Sequence, residues 1–161
     1  MLRISKLTDY AVMLATSLPS EGATRSVRDL ATESQLPVAT VSKVLKLLAK
    51  AGVVTSQRGP SGGYRLTRAA EAIPVVDVII AIEGPIAVTE CSDDAVASGC
   101  EYETRCGTRA NWKRINDAVL QALSEIPLSE MVATNMHALG AHQSPLVPLL
   151  SSAPTRAVHG E

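Results

Sequence analysis

The sequence predicts a mainly helical chain with one small β-hairpin, and three observations carry that reading. Phe is absent and aromatics make up 2% of the 161 residues, so the core must come from Leu, Val, Ile and Ala, which suits helix on helix better than a sheet sandwich. Three early segments repeat apolar residues at spacings of three and four, as one buried helix face does. Between residues 53 and 67 the pattern changes to two short β-forming runs around a glycine-rich turn. At 46% hydrophobic and 19% charged, the chain is long enough for one domain and an appended segment.

The first helix lies in KLTDYAVMLATSLPS, where Leu7, Ala11, Leu14, Ala15 and Leu18 form one apolar face that ends before Pro19 and Gly22. The second, SVRDLATESQ, opens with Ser26 three residues before Asp29, a capping-box-like start, and turns Val27, Leu30 and Ala31 inward. The third, LPVATVSKVLKLLAKAG, has Pro37 in its first turn, Val38, Val41, Leu45 and Leu48 on its apolar face, and Gly52 at its end. Its opposite face aligns Ala39, Lys43, Lys46 and Lys50. Two helices joined by a tight turn make a helix-turn-helix, and the hairpin VVTSQRGPSGGYRLT turns it into a winged helix with Arg58 and Arg65 flanking the tip. Glycine there supplies positive φ and close backbone approach, and Pro60 stiffens the loop. A solvated helix also shows lysines, and a plain surface hairpin also needs glycine, but arginine on both sides of the tip adds a reason to expect nucleic acid.

The rest of the chain is read from composition and period. IPVVDVIIAIEG reads as a short buried helix from Pro74 to Gly84, expected to pack the wing to the C-terminal half. TRANWKRINDAVLQALSEI places Trp112, Ile115, Val119, Ala122 and Ile126 in a coiled-coil-like seam. Since the winged-helix core is expected to be complete by residue 70, the seam is assigned to a homodimer. From Ser144 onward the Pro-, Ser- and Ala-rich sequence without periodicity predicts a disordered tail. The expected organisation is a winged helix-turn-helix DNA-binding domain at 1–70, a short helix and cysteine-rich loop at 71–107, a dimerisation helix with a short terminal helix at 108–135, and a disordered tail at 136–161.

Charge separates the same halves. Residues 1–70 carry ten Lys/Arg against four Asp/Glu, and residues 71–161 five against twelve, so the first half suits a polyanion and the second does not. The N-terminus has no apolar signal-peptide core and no stretch approaches a spanning helix, so a cytoplasmic chain without a membrane partner is expected. No P-loop, HExxH motif or nucleophile–base pair is present, which argues against an enzyme and a small-molecule substrate. On double-stranded promoter DNA, Thr40, Ser42 and Lys43 are assigned to base or backbone contact in the major groove. Lys46 and Lys50 are assigned to phosphate, and Arg58, Ser61 and Arg65 to the wing.

All three cysteines, Cys91, Cys100 and Cys106, fall in CSDDAVASGCEYETRC, among carboxylates. An odd number is a poor disulfide framework, so metal binding or thiol chemistry is favoured. Structural zinc sites usually draw on tighter knuckles, whereas gaps of eight and five residues suit a larger iron-sulfur cluster. Neighbouring Asp93, Asp94, Glu101 and Glu103 disfavour a bare thiolate, offset by Arg105 and Arg109. Spacing alone leaves cluster, zinc and metal-free thiol open.

Over about residues 1–135 the chain resembles the IscR/NsrR/RirA family of bacterial winged-helix regulators. LTDYA in the first helix, RGPSGGYRL at the wing, VVDVIIAIEG after it, three cysteines in the following loop and the ending IPLSEMV carry the resemblance. MLRISKLTDYA is similar to the branch that regulates the SUF iron-sulfur assembly system. The resemblance implies a homodimeric repressor or activator with a 2Fe-2S or 4Fe-4S cluster on Cys91, Cys100 and Cys106. Relatives that use histidine as fourth ligand place it three residues after the last cysteine, where this chain has Arg109, which cannot ligate a metal. Others use an acid of the first helix, from the partner subunit, and the matching residue is Asp9, which would also suit a plain helix N-terminus. Glu90, His137 and His142 are further candidates. Two alternatives stand beside this reading: a small iron-sulfur electron-transfer or scaffold protein, and a zinc-stabilised winged-helix regulator.

Overall fold

The structure, a computed structural model, describes residues 3–59, 62–89 and 105–131. In chain order its elements are helices α1 (Lys6–Thr16), α2 (Val27–Ser34) and α3 (Val38–Lys50), strands β1 (Val54–Gln57) and β2 (Gly63–Leu66), and helices α4 (Val75–Glu83) and α5 (Arg109–Ser124). Short 3-10 turns occupy Ala70–Ala72 and Leu128–Met131. The chain is mainly α with a two-stranded antiparallel hairpin, as the residue pattern predicts.

Local sequence sets each helix end. Ser26 caps α2, its Oγ accepting the Asp29 N–H at 3.1 Å while its hydroxyl donates to Asp29 Oδ2 at 2.8 Å. α3 starts one residue later than expected, with Pro37 at the N-cap rather than in the first turn. The α2–α3 turn passes through Gln35, a left-handed residue at φ 56° that holds the two helices close together. Ser5 caps α1, its Oγ accepting the Thr8 N–H at 3.3 Å.

The core joins Leu14 of α1, Leu30 of α2 and Val41, Val44, Leu45 and Leu48 of α3 with Val54 and Leu66 of the hairpin. Val38 is 53% exposed, and Val44 takes the place it was expected to fill. A helix turns 100° per residue, so Val44, three past Val41 and one before Leu45, lies at the centre of the buried stripe while Val38 precedes the contact with α1 and α2.

This core does not close at residue 70 as expected. Ile73, Val78 and Leu128 are fully buried members of the same cluster. The segment after α5 runs back along the approach to α4, with the Val75 N–H on the Ile126 carbonyl at 2.8 Å and the Leu128 N–H on the Ile73 carbonyl at 2.7 Å. α4 packs against α1, α3 and α5. Arg68, just past the hairpin, forms an ion pair with Asp77 of α4 at 2.9 Å.

The residues of α5 that face its own chain share only Val119 with the expected seam, among the described residues. Asn116 is 4% exposed and Val119 and Leu123 are half-buried, while Trp112 and Ile115 remain 39% and 46% exposed. Ile126 lies beyond the end of the helix. Residues from 132 onward, including the expected tail, lie outside the described residues.

Candidate nucleic-acid interface and cysteine segment

The apolar face of α3 is fixed by the core, which forces the opposite face outward. Ala39, Lys43, Lys46 and Lys50 are all exposed there as one stripe, with Thr40 and Ser42 half-buried on its flanks. The stripe carries three ammonium groups and no carboxylate, a surface that suits the phosphates of a duplex.

The hairpin, which follows α3 and packs on it through β1, has a further backbone partner besides its own two strands. Residue pairs Val54–Leu66 through Gln57–Gly63 set the register of β1 and β2. Arg25, between α1 and α2, adds a bridge on the other side of β2: its N–H donates to the Tyr64 carbonyl and its carbonyl accepts the Tyr64 N–H, both at 2.9 Å. Sequence reasoning missed this bridge. Gly63 makes it possible, because a Cβ there would stand 2.4 Å from the Arg25 carbonyl oxygen. Close approach to the protein's own backbone therefore explains Gly63, whereas Gly59, at φ +128°, is the wing glycine with the positive φ that was expected.

Arg58 is exposed at the end of β1. Arg65 is half-buried and one guanidinium N–H reaches the Ser20 carbonyl at 3.4 Å, so this side chain also ties the wing to the α1–α2 loop. Arg25 forms an ion pair with Glu33. Ser61 lies outside the described residues.

Of the cysteines, Cys106 is described, and Cys91 and Cys100 lie outside the described residues, as do Glu90, His137 and His142. Cys106 precedes α5, with Sγ 3.3 Å from the Thr108 hydroxyl. Hydrogen bonding from the Thr108 side chain, then from its backbone, and the nearby Arg109 hold the thiol below its ordinary pKa, which favours the thiolate a metal requires. Asp9 is exposed in the first turn of α1, next to the fully buried Thr8. Among the described residues no group of three or more His, Cys, Asp and Glu comes together.

Two residues that the sequence pattern did not single out hold the segment leading to the first cysteine. Asn116 Oδ1 accepts the Val88 N–H at 3.0 Å. Glu83, the last residue of α4, accepts the Ser5 N–H at 2.9 Å and the Thr8 hydroxyl. Hydrogen bonds from Ser5 and then Thr8 hold its carboxyl below the usual carboxylate range. Among the described residues, no helix is long and apolar enough to cross a membrane.

Comparison with known proteins agrees with this geometry. The family model Rrf2, described as an iron-dependent transcriptional regulator, matches residues 4–134. The HTH-type transcriptional regulator IscR of Photorhabdus laumondii is 32% identical over 133 residues, covering 81% of this chain and 79% of that regulator. Among solved structures, CymR, the global cysteine regulator of B. subtilis, superposes with a TM-score of 0.59 at 30% identity, covering 84% of this chain and 100% of CymR. IscR of T. potens superposes with a TM-score of 0.56 at 26% identity, over 81% of this chain and 85% of that one.

Proposed function

This chain belongs to the Rrf2 family of transcriptional regulators, and from that premise we propose that it is a homodimeric repressor whose hold on promoter DNA answers to an iron-sulfur cluster. The chain is a DNA-binding regulator rather than an enzyme. The observation that carries the reading is the exposed lysine stripe of α3, on a helix that an antiparallel hairpin with Arg58 and Arg65 follows. In this reading α3 enters the major groove, with Thr40, Ser42 and Lys43 toward the bases and Lys46 and Lys50 on phosphate. Arg58, Ser61 and Arg65 bring the wing to the adjacent backbone.

Cys91, Cys100 and Cys106 would hold the cluster, and the donor chemistry fits, since the described member of the set has its thiolate favoured by Thr108. When bound, the cluster would supply an iron-based redox centre held on thiolates. Asp9 of the partner subunit is assigned as fourth ligand, because its carboxylate is exposed on α1 and Arg109 cannot serve. A harder oxygen donor at one corner makes that corner more labile, which suits a sensor. The exposed Trp112 and Ile115 of α5 support a homodimer that pairs two reading helices on two half-sites. The likeness of the first helix to the SUF-regulating branch supports iron-sulfur assembly genes as the target.

The test is equilibrium binding of the full chain to a duplex it selects from a random pool, measured across salt with and without reconstituted iron and sulfide. Affinity is expected to fall steeply with salt and to differ between the two forms. Binding of neither form to any selected duplex would overturn it.

A further inference from the structure

Glu83 stands where its own helix gains nothing from it. It ends α4, and a carboxylate at a helix C-terminus faces the negative end of the dipole. Its hydrogen bonds go to the start of another helix, 75 to 78 positions earlier in the chain.

The first turn of α1 explains why. Ser5 is the N-cap and its Oγ accepts the Thr8 N–H at 3.3 Å, which is half of a capping box. The other half is a bond from the N-cap N–H to a long acidic or amide side chain at the position Thr8 holds. Threonine is too short to return that bond. Glu83 supplies it from α4, accepting the Ser5 N–H at 2.9 Å, and also takes the hydroxyl of Thr8, which is fully buried. The capping box of α1 is thus completed by α4.

The path of the chain beyond Glu83 gives the contact its consequence. Gly84, at φ +86°, turns the backbone away from α4, and four residues later the Val88 N–H is fixed by the buried Asn116 of α5. The segment 84–88 is therefore pinned at one end to α1 and at the other to α5, and Cys91 comes three residues after it. α1 packs on α3, and α4 packs on both. Glu83 thus joins the entry to this segment to α1 by hydrogen bonds, in addition to the packing of α4 on α1.

We propose that Glu83 is a positioning residue for DNA reading, setting α1, and with it α3, relative to α4 and the segment that enters the cysteine loop. This rests on the cluster-responsive reading of the protein, and it assigns the link by which the loop's state reaches the reading helix.

The experiment compares wild-type full chain with Glu83→Ala, Glu83→Gln, Thr8→Val and the Thr8→Val/Glu83→Ala pair. For each, the affinity ratio of cluster-loaded to cluster-free protein is measured on the selected duplex, alongside the cluster absorption spectrum and the melting temperature. Coupled sites typically differ by about 5- to 150-fold in affinity, and Glu83→Ala is expected to bring that ratio to about one with the spectrum unchanged. Glu83→Gln keeps an acceptor oxygen and retains most of the ratio. Thr8→Val lowers it, and the pair lowers it no further than Glu83→Ala alone. A role confined to stabilising α1 predicts a lower melting temperature in every variant with the ratio intact, and that result would overturn the proposal. If Glu83→Ala does not fold, Thr8→Val and Glu83→Gln decide the matter by the same ratio. A wild-type ratio of one would overturn the cluster-responsive reading and the coupling together, whereas a large wild-type ratio left unchanged by the variants overturns the coupling alone.

Discussion

Past the first turn of α3, Val41, Val44, Leu45 and Leu48 are all buried, whereas in α5 Trp112 and Ile115 stay exposed and the polar Asn116 is buried. Both helices are amphipathic, but they complete their packing differently. α3 is enclosed by α1, α2, α4 and the hairpin of its own chain, so its apolar stripe faces inward and its lysine stripe is left for a ligand. α5 rests on α4 along one side, and its aromatic and aliphatic side chains on the other are left uncovered by the described residues. An apolar stripe marks a buried face without telling which chain buries it.

The strongest break of this contrast is a cavity. Leu48→Ala, in the centre of the winged unit, is expected to cost roughly 2–5 kcal/mol in denaturant unfolding, while Ile115→Ala on α5 changes the unfolding of the isolated chain by no more than about 0.5 kcal/mol. Similar losses at both positions would show that α5 is covered within its own chain. Second in size is Ile115→Asp, which buries a charge in the proposed dimer contact. Sedimentation should then give a monomer with unchanged helical circular dichroism, and a persisting dimer would move the contact to another face.

On the α3 side, Lys46→Ala and Lys50→Ala should each weaken DNA binding on all sequences alike and lower the salt slope by roughly one unit. An unchanged slope would take the lysine stripe off the DNA. The smallest expected effect concerns the turn between α2 and α3. Gln35→Gly relieves a left-handed residue and is expected to stabilise the fold by about 0.5–1 kcal/mol, set against glycine's greater unfolded freedom. Destabilisation instead would mean that the Gln35 side chain contributes more than its backbone costs.

The winged unit was legible in the sequence because its signals are local. Apolar positions at three and four placed α1, α2 and α3, Ser26 and Asp29 marked a cap, and the glycines around Pro60 marked the hairpin. Val38 misled because periodicity gives the phase of a stripe but not where along the helix its neighbours begin. Long-range features left no local trace. The bridge of Arg25 to Tyr64, the cap on α1 supplied by Glu83, and Leu128 returning to the core each join residues far apart in sequence. Asn116 was passed over because a polar letter in a helical stripe reads as solvent-facing, yet a buried asparagine is suited to hold the backbone N–H of Val88. Of the candidate site, the lysine stripe and Arg58 are exposed as expected, and Arg65 proved to be engaged partly with Ser20.

Whether the cysteine segment carries an iron-sulfur cluster is tested by the iron, sulfide and zinc content of anaerobically purified wild-type and Cys106→Ala protein. Coloured wild-type protein with iron and sulfide in comparable amounts is expected, with loss of both in Cys106→Ala, since removing one of three thiolates leaves too few anchors. Stoichiometric zinc without sulfide in the wild type would contradict it and leave a zinc-stabilised winged-helix regulator in its place.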